Sequence, residues 1–414
     1  MFQETSLSVV IPAYNEESGI AKIVERVLAM RSSLYEQGVT AFELIVVDDG
    51  SVDRTAQIVE QYAEVRLVRH GFNRGYGAAL KTGLAAARSE MVAFLDADGT
   101  YPPEYFPRLC AMVMGGVDLA IGSRMSGAES EMPLSRRMGN WFFANLISFY
   151  SNVRVRDCAS GMRVFRRDAL MRLYPLPDGL NFTPIMSLRA IHEGLKVEET
   201  PIPYHERVGR SKLSVVRDGL RYLQSITWTA LGYNPVRVLG TLGVIGVGFA
   251  LLVGLGLLVA RLSGVEQLSG WGVVAVFLAL ISGVAGVSLF NLGATFNYLI
   301  SLFRKEFVRQ GLFGKPIFNP PLDRHFGWMG WVSIGLGTVV VVVALAMGVG
   351  GWPIERLWLW LVGGAMMILI GLQLLISWIV MRKLEELSQR EIAVQRDLEA
   401  VGEGAVRDGK PSIA

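Results

Sequence analysis

Asp96 and Asp98 form an i, i+2 carboxylate pair between the apolar run MVAFL and the turn sequence Gly99-Thr100-Tyr101-Pro102-Pro103. A hard cation such as Mg2+ or Mn2+ takes one or two carboxylates and fills its remaining positions with substrate phosphate oxygens. A tight turn after a strand would hold both carboxylates toward one crevice. A cation there would neutralise a diphosphate and improve it as a leaving group. Acidic and turn residues follow two other apolar runs: Tyr14, Asn15 and Glu16 after LSVVIPA, and Asp48, Asp49 and Gly50 at the end of LIVVDD. Asn73-Arg74-Gly75-Tyr76-Gly77 lacks both the GxGxxG spacing and a following Gly-Lys-Ser/Thr. It reads as a turn and helix start beside the site, not as a phosphate-cradling loop. Cys110, Cys158 and four scattered histidines supply no HExxH or Cys/His ligand set. They point away from zinc and from a disulfide framework, and they fit a reducing compartment.

Groups so spaced need a scaffold that brings strand ends together. The runs LSVVIPA (7–13), LIVVDD (44–49), VRLVRH (65–70), MVAFLDAD (91–98) and DLAIGS (118–123) alternate with helical patterns at 18–30, 53–63 and 76–88. That rhythm predicts an α/β domain with a mostly parallel sheet covered on both faces. Ligands of such sheets bind beyond the carboxyl ends of the strands, where the acidic residues sit.

Composition divides the chain. Of 414 residues, 51% are hydrophobic and 19% charged, and the mean hydropathy is +0.37, too apolar for an ordinary soluble enzyme. Residues 1–235 carry 26 Lys+Arg and 26 Asp+Glu, whereas residues 236–414 carry 14 and 11. The first part is neutral, which argues against a nucleic-acid partner. Beyond Pro235, the stretches 238–260, 267–303, 326–354 and 357–381 contain no Asp, Glu, Lys or Arg. Each exceeds the roughly 20 apolar residues needed to cross a bilayer, and 267–303 reads as one long span with an interfacial end.

Lys and Arg accumulate on the cytoplasmic side of membranes. The loop after the second span holds Arg304, Lys305, Arg309, Lys315 and Arg324, and the tail holds Arg382, Lys383, Arg390 and Arg396. The N-terminus shows no basic region followed by an apolar one, so no cleaved signal is expected. The expectation is a multi-pass protein of the cell (inner) membrane with the N-terminal domain and both termini in the cytoplasm. Leu213, Val216, Leu220, Leu223 and Ile226 recur at helical spacing, with Arg217 and Arg221 off that stripe. This is the pattern of a helix lying in the interface, although an amphipathic helix packed on its own domain would show it too. The expected divisions are therefore a cytoplasmic domain at 1–212, an interfacial helix region at 213–235 and a four-span domain at 236–381. The spans fall at about 238–260, 273–300, 328–351 and 357–381, followed by a charged helical tail at 382–414. Glycines such as Gly240, Gly243 and Gly246 allow close helix packing and a homo-oligomer.

The segments VVIPAYNEE (9–17), VVDDGSVDRT (46–55), NRGYGAALKTG (73–83), LDADGTYPPE (95–104), GSR (122–124), DCASGMRVFRR (157–167) and ERVGRSKLS (206–214) occur in this order. Together they resemble the family 2 glycosyltransferases of GT-A fold, a Rossmann-like nucleotide-diphospho-sugar transferase domain. Within that family they are similar to the polyprenyl-phosphate glycosyltransferases, dolichyl-phosphate mannose synthase among them. The resemblance covers about residues 5–230, and the layout of four following helices resembles the subgroup with a membrane domain. It implies inverting, metal-dependent transfer of a sugar from a GDP- or UDP-linked donor to dolichyl or undecaprenyl phosphate, with Mg2+ or Mn2+ as cofactor.

By that resemblance Pro12, Tyr14, Glu16 and Asp48 would line the nucleotide pocket, with Asp49 beside it and Asp96 near the ribose and metal. Asp98 would be the principal metal ligand. Many members carry Gln two residues later; here Thr100 stands in that position, where its hydroxyl or a water would substitute. Arg207 and Lys212, flanking Gly209 and Ser211, would reach the donor diphosphate from a loop that closes over it; a juxtamembrane basic patch for anionic lipid is the other reading. Arg124, and Arg136 with Asn140, resemble the acceptor-phosphate site, with Arg137 the nearby competitor. Asp98, Arg124 and Arg136 are thus the catalytic candidates. Asp157, Ser160, Gly161 and Arg163 match the signature that shapes the acceptor side of the pocket. A hydroxyl acceptor would require a general base, whereas a lipid phosphate, with a second pKa near ~6, is already an anion and requires positive charge. Two rivals remain: a processive polysaccharide synthase, whose Gln-x-x-Arg-Trp motif has only Gln224-Ser225-Ile226-Thr227-Trp228 as a counterpart, and a nucleotide-sugar-binding component of a lipid-sugar transporter.

Overall fold

A computed structural model of the chain describes residues 5–125, 130–206, 214–265, 269–304, 312 and 319–407. Two compact units divide it, residues 1–230 and 231–414. The first contains strands β1 (Thr5–Ala13), β2 (Val39–Asp48), β3 (Val65–Arg69), β4 (Met91–Phe94), β5 (Leu119–Ser123), β6 (Arg163–Arg166) and β7 (Val197–Pro201). Its helices are α1 (Ile20–Ala29), α2 (Arg31–Glu36), α3 (Thr55–Val59), α4 (Tyr76–Ala86), α5 (Phe106–Met114), α6 (Leu134–Ser151), α7 (Arg167–Leu173), α8 (Phe182–His192) and α9 (Val215–Leu231).

The strands form one sheet in the order β3-β2-β1-β4-β6-β5-β7. The expected mostly parallel sheet is present. Strands β1 to β4 pair in parallel, as do β5 and β7. Strand β6 alone runs the other way, between β4 and β5. Continuous burial along β1 reflects cover on both faces. Leu7, Val9 and Ile11 share a core with Ile20, Ile23, Val24 and Val27, the inward stripe of α1, and with Phe106 and Leu109 of α5. On the opposite face Val10 meets the backbone of α4 at Gly83, and Phe94 meets Phe182 of α8 edge to face at 6.1 Å. The pattern-based reading contains neither β6 nor β7, because RVFR and VEETP are short and too polar to show a strand period.

The second unit consists of α10 (Pro235–Leu262), α11 (Gly270–Arg304), α12 (Leu322–Val349) and α13 (Ile354–Arg407). Each contains a segment long and apolar enough to cross a membrane. The tail continues α13 in one helix instead of starting a new one. No Gly or Pro interrupts residues 382–401, and Arg382–Glu385 and Lys383–Glu386 pair one turn apart. Without a hydrophobic driving force between helices in lipid, close backbone packing must supply the attraction. A Cβ at Gly243 would come within 2.5 Å of the Gly286 carbonyl oxygen, and one at Gly286 within 2.7 Å of that of Gly243. Gly330 and Gly371 make the same crossing between α12 and α13. Gly243→Leu should therefore lower the thermal unfolding midpoint in detergent by an amount equivalent to about 1–3 kcal/mol of overpacking. Gly248→Leu, where nothing lies within 4 Å, should leave it unchanged, and equal midpoints for the two variants would contradict glycine-mediated packing.

Candidate active site

The loops after β1 and β2 are laced together by short polar side chains. Asp49 N–H donates to Ala13 O at 2.8 Å, Asn15 N–H to Ser51 Oγ at 2.9 Å, and Glu16 N–H to Thr55 Oγ1 at 2.9 Å. Asn15 has φ 50°, a left-handed conformation that Asn tolerates better than most residues. Asp48, at the end of β2, caps this turn by accepting Ser51 N–H at 3.2 Å. The carboxylate of Asp49 anchors the next segment. Its Oδ1 meets His70 Nδ1 at 2.6 Å and accepts Arg74 N–H, and its Oδ2 accepts Gly75 N–H. The start of α4 is thereby fixed beside the end of β2.

Asp96 and Asp98 follow β4. Thr100 donates its hydroxyl to Asp98 Oδ1 at 2.6 Å and its N–H to the same oxygen at 3.2 Å. Tyr76 donates to Asp96 Oδ1 at 2.7 Å. Across the sheet, Arg124 leaves β5 and binds Asp157 with two parallel bonds, Nε to Oδ2 at 2.8 Å and Nη2 to Oδ1 at 2.7 Å, and donates its own N–H as well. Its guanidinium also faces the rings of Tyr101 at 5.6 Å and Tyr204 at 5.5 Å. Desolvation pushes the Asp157 carboxyl up. The adjacent Arg124 charge and its hydrogen bonds outweigh that effect and hold it below the usual carboxylate range.

One cavity of about 510 Å³ joins these groups. Among the residues expected from sequence, Pro12, Tyr14, Glu16, Asp49, Asp96, Asp98, Thr100, Arg124, Arg136 and Asn140 line it. Asp48 does not, and neither do Asp157, Ser160, Gly161 and Arg163. Ser160 donates to Gly122 O, and Arg163 donates to Ser160 O and Cys158 O, all without exposure to water. Asn140 spends its amide on backbone, donating to Arg156 O and accepting Ala159 N–H, both at 3.2 Å. Arg136 donates to the Tyr204 hydroxyl at 3.2 Å. Arg207 and Lys212 lie outside the described residues.

The wall also contains residues that sequence reasoning missed. Asp218, Arg221 and Tyr222 bring α9 into it, and Tyr222 donates to Leu180 O at 2.8 Å and packs on Phe143 of α6 at 5.5 Å. Val216 and Leu220, from the expected apolar stripe, are exposed, while Ile226 is buried. Helix α6 repeats the design. Arg136, Gly139, Asn140 and Phe143 face the cavity, and Leu134, Met138, Trp141 and Phe142 are exposed on the other side. Their 3–4 residue spacing is the signal that could have revealed α6 in the sequence.

Among the described residues no cluster of three His, Cys, Asp or Glu side chains is placed to hold a metal. The all-oxygen pair Asp96 and Asp98 nevertheless fits a hard cation that keeps several positions for water and substrate phosphate. Removing one partner of a buried ion pair strands the other charge. Asp157→Ala should therefore cost about 3–5 kcal/mol in chemical unfolding of the first unit, and a midpoint equal to that of the parent would refute this role. Because the Asp157 pKa is lowered, the pair's contribution is complete above the ordinary carboxylate value of ~3.9. It is lost as pH falls through the lowered value.

Residues 8–174 match glycosyl transferase family 2, and residues 235–395 match a family described only as a domain of unknown function. The low-salt glycan biosynthesis hexosyltransferase of Haloferax volcanii is 34% identical over 252 residues, covering 59% of this chain and 59% of that protein. The dolichyl-phosphate hexose transferase of the same organism is 31% identical over 225 residues, 54% of this chain and 94% of the relative. The undecaprenyl-phosphate 4-deoxy-4-formamido-L-arabinose transferase of Pseudomonas paraeruginosa is 30% identical over 316 residues, covering 74% and 88%. The family match spans β1 to β6, and with the last of these relatives it shows that the chain belongs to glycosyl transferase family 2, its first unit a GT-A domain.

Proposed function

We propose that the protein transfers a sugar from a nucleotide-diphosphate sugar, GDP- or UDP-linked, to a polyprenyl phosphate at the cytoplasmic face of the membrane. The carrying observation is the division of charge within one cavity. Glu16, Asp49, Asp96 and Asp98 line one side, at the ends of β1, β2 and β4, and Arg124 and Arg136 line the side formed by β5 and α6. The first side suits a nucleotide donor and the second an anionic acceptor. Two of the relatives are named for transfer involving dolichyl or undecaprenyl phosphate, which supports the acceptor class. The four membrane-length helices and the apolar outer faces of α6 and α9 suit an acceptor that resides in a bilayer.

In the proposed reaction a phosphate oxygen of the acceptor attacks the anomeric carbon as the bond to the nucleoside diphosphate breaks, which inverts the configuration. The acceptor is already an anion, so it needs no general base. Arg136 and the remaining capacity of Arg124 bind and orient it. Asp96 and Asp98 would hold Mg2+ or Mn2+ together with donor diphosphate oxygens, and the cation would stabilise the departing charge. Thr100 donates its hydroxyl proton to Asp98 and keeps the oxygen lone pairs with which it would join the cation. Arg207 and Lys212 are assigned to the donor diphosphate.

Membranes containing the protein, supplied with a panel of UDP- and GDP-sugars, Mg2+ or Mn2+, and undecaprenyl or dolichyl phosphate, should form a lipid-linked sugar. Asp98→Ala should reduce the rate by at least about a hundredfold, on the scale of an electrostatic catalytic group. Arg136→Ala should raise the KM for the lipid phosphate while donor binding persists. Donor binding without glycolipid from any lipid would count against the transferase reading.

A further inference from the structure

Each aspartate of the Asp96-Ala97-Asp98 pair has its own hydroxyl donor. Thr100 serves Asp98 from two residues away, whereas Asp96 is served from another element, by Tyr76 at the first position of α4. The opposite flank of Asp96 is the backbone of Gly161, where any Cβ would overlap the carboxylate. Gly161 is itself fixed, its N–H donating to the Tyr101 hydroxyl at 2.7 Å. A tyrosine hydroxyl, with an ordinary pKa of ~10, is a donor at neutral pH, and that of Tyr76 donates to Asp96 Oδ1 at 2.7 Å. A neutral donor orients a carboxylate without cancelling the charge that a cation requires, which an Arg or Lys in the same place would do.

We infer that Tyr76 is a positioning residue for Asp96, its hydroxyl and the bare backbone of Gly161 together fixing the plane in which that carboxylate meets the donor nucleotide and its cation. The role rests on the reading of Asp96 as a donor-side residue given above. It also explains why the NRGYG segment lies beside the site without contributing a phosphate loop. Asp49 holds Arg74 and Gly75 by their N–H groups, and the next residue is Tyr76, so one aspartate of the cavity sets the donor that orients another.

The test is calorimetric titration of the full-length protein in detergent with UDP and with GDP, each in the presence of MnCl2, for Tyr76→Phe, Asp96→Asn and the double variant. Tyr76→Phe retains the ring and should keep the parent's circular dichroism and unfolding midpoint. It should bind the nucleotide preferred by the parent about tenfold more weakly, the scale of a hydrogen bond to a charged group. On the Asp96→Asn background it should cause no further loss. Gly161→Ala should reproduce the loss through the other flank. Unchanged affinity in Tyr76→Phe, or losses that multiply in the double variant, would overturn the positioning role while the donor site stands. Failure of the parent to bind either nucleotide would overturn the donor-site reading, and the role with it.

Discussion

The bidentate pair between Arg124 and Asp157 is the constraint on which the cavity depends. It joins the carboxyl end of β5 to the segment that enters β6, two places where the chain would otherwise leave the sheet in different directions. Desolvating both charges is costly, and only good geometry with further hydrogen bonds offsets it. Here the Arg124 N–H, the flanking tyrosines and the nearby Arg163 provide that setting. The energetic return of such a pair over an apolar substitute is small. Its consequence is geometric: it fixes the wall from which Arg124 faces the cavity.

Strand β6 extends the same argument. Because it runs antiparallel between β4 and β5, with Arg163 opposite Phe94 and Ile121, its amino end lies at the carboxyl edge of its neighbours. Residues 157–161 therefore arrive where Asp96 and Arg124 are. A parallel strand in that place would have carried them to the far edge of the sheet. The reversal allows Gly161 to press on Asp96 and Asp157 to hold Arg124, so the negative and positive sides of the cavity share one buried support.

Helices α6 and α9 each separate two kinds of surface. Each turns polar or aromatic residues toward the cavity and apolar ones outward, a division that water alone would not favour. The helices of the second unit solve a different problem. With apolar side chains all round, they depend on glycine crossings for close contact, and a few polar bonds join them, such as Ser333 Oγ of α12 to Met367 O of α13 at 2.7 Å.

The sequence by itself determined the features that follow from local repetition. Five strands, three helices and four apolar spans were legible because burial on a sheet face, on a helix stripe or in lipid imposes a period or a length that composition displays. Asp96 and Asp98 were legible because their chemistry lies within three residues. Tertiary structure alone decided which side chains answer one another. It made Arg124 a bound partner of Asp157, set the Asn140 amide on backbone, buried Ser160 and Arg163 against backbone carbonyls, and brought Tyr76 to Asp96 across 20 residues. These pairings depend on the reversal of β6 and on the approach of α4 and α6 to the strand ends. No local pattern encodes them, because hydrogen-bond partners distant in sequence are selected by the path of the folded chain.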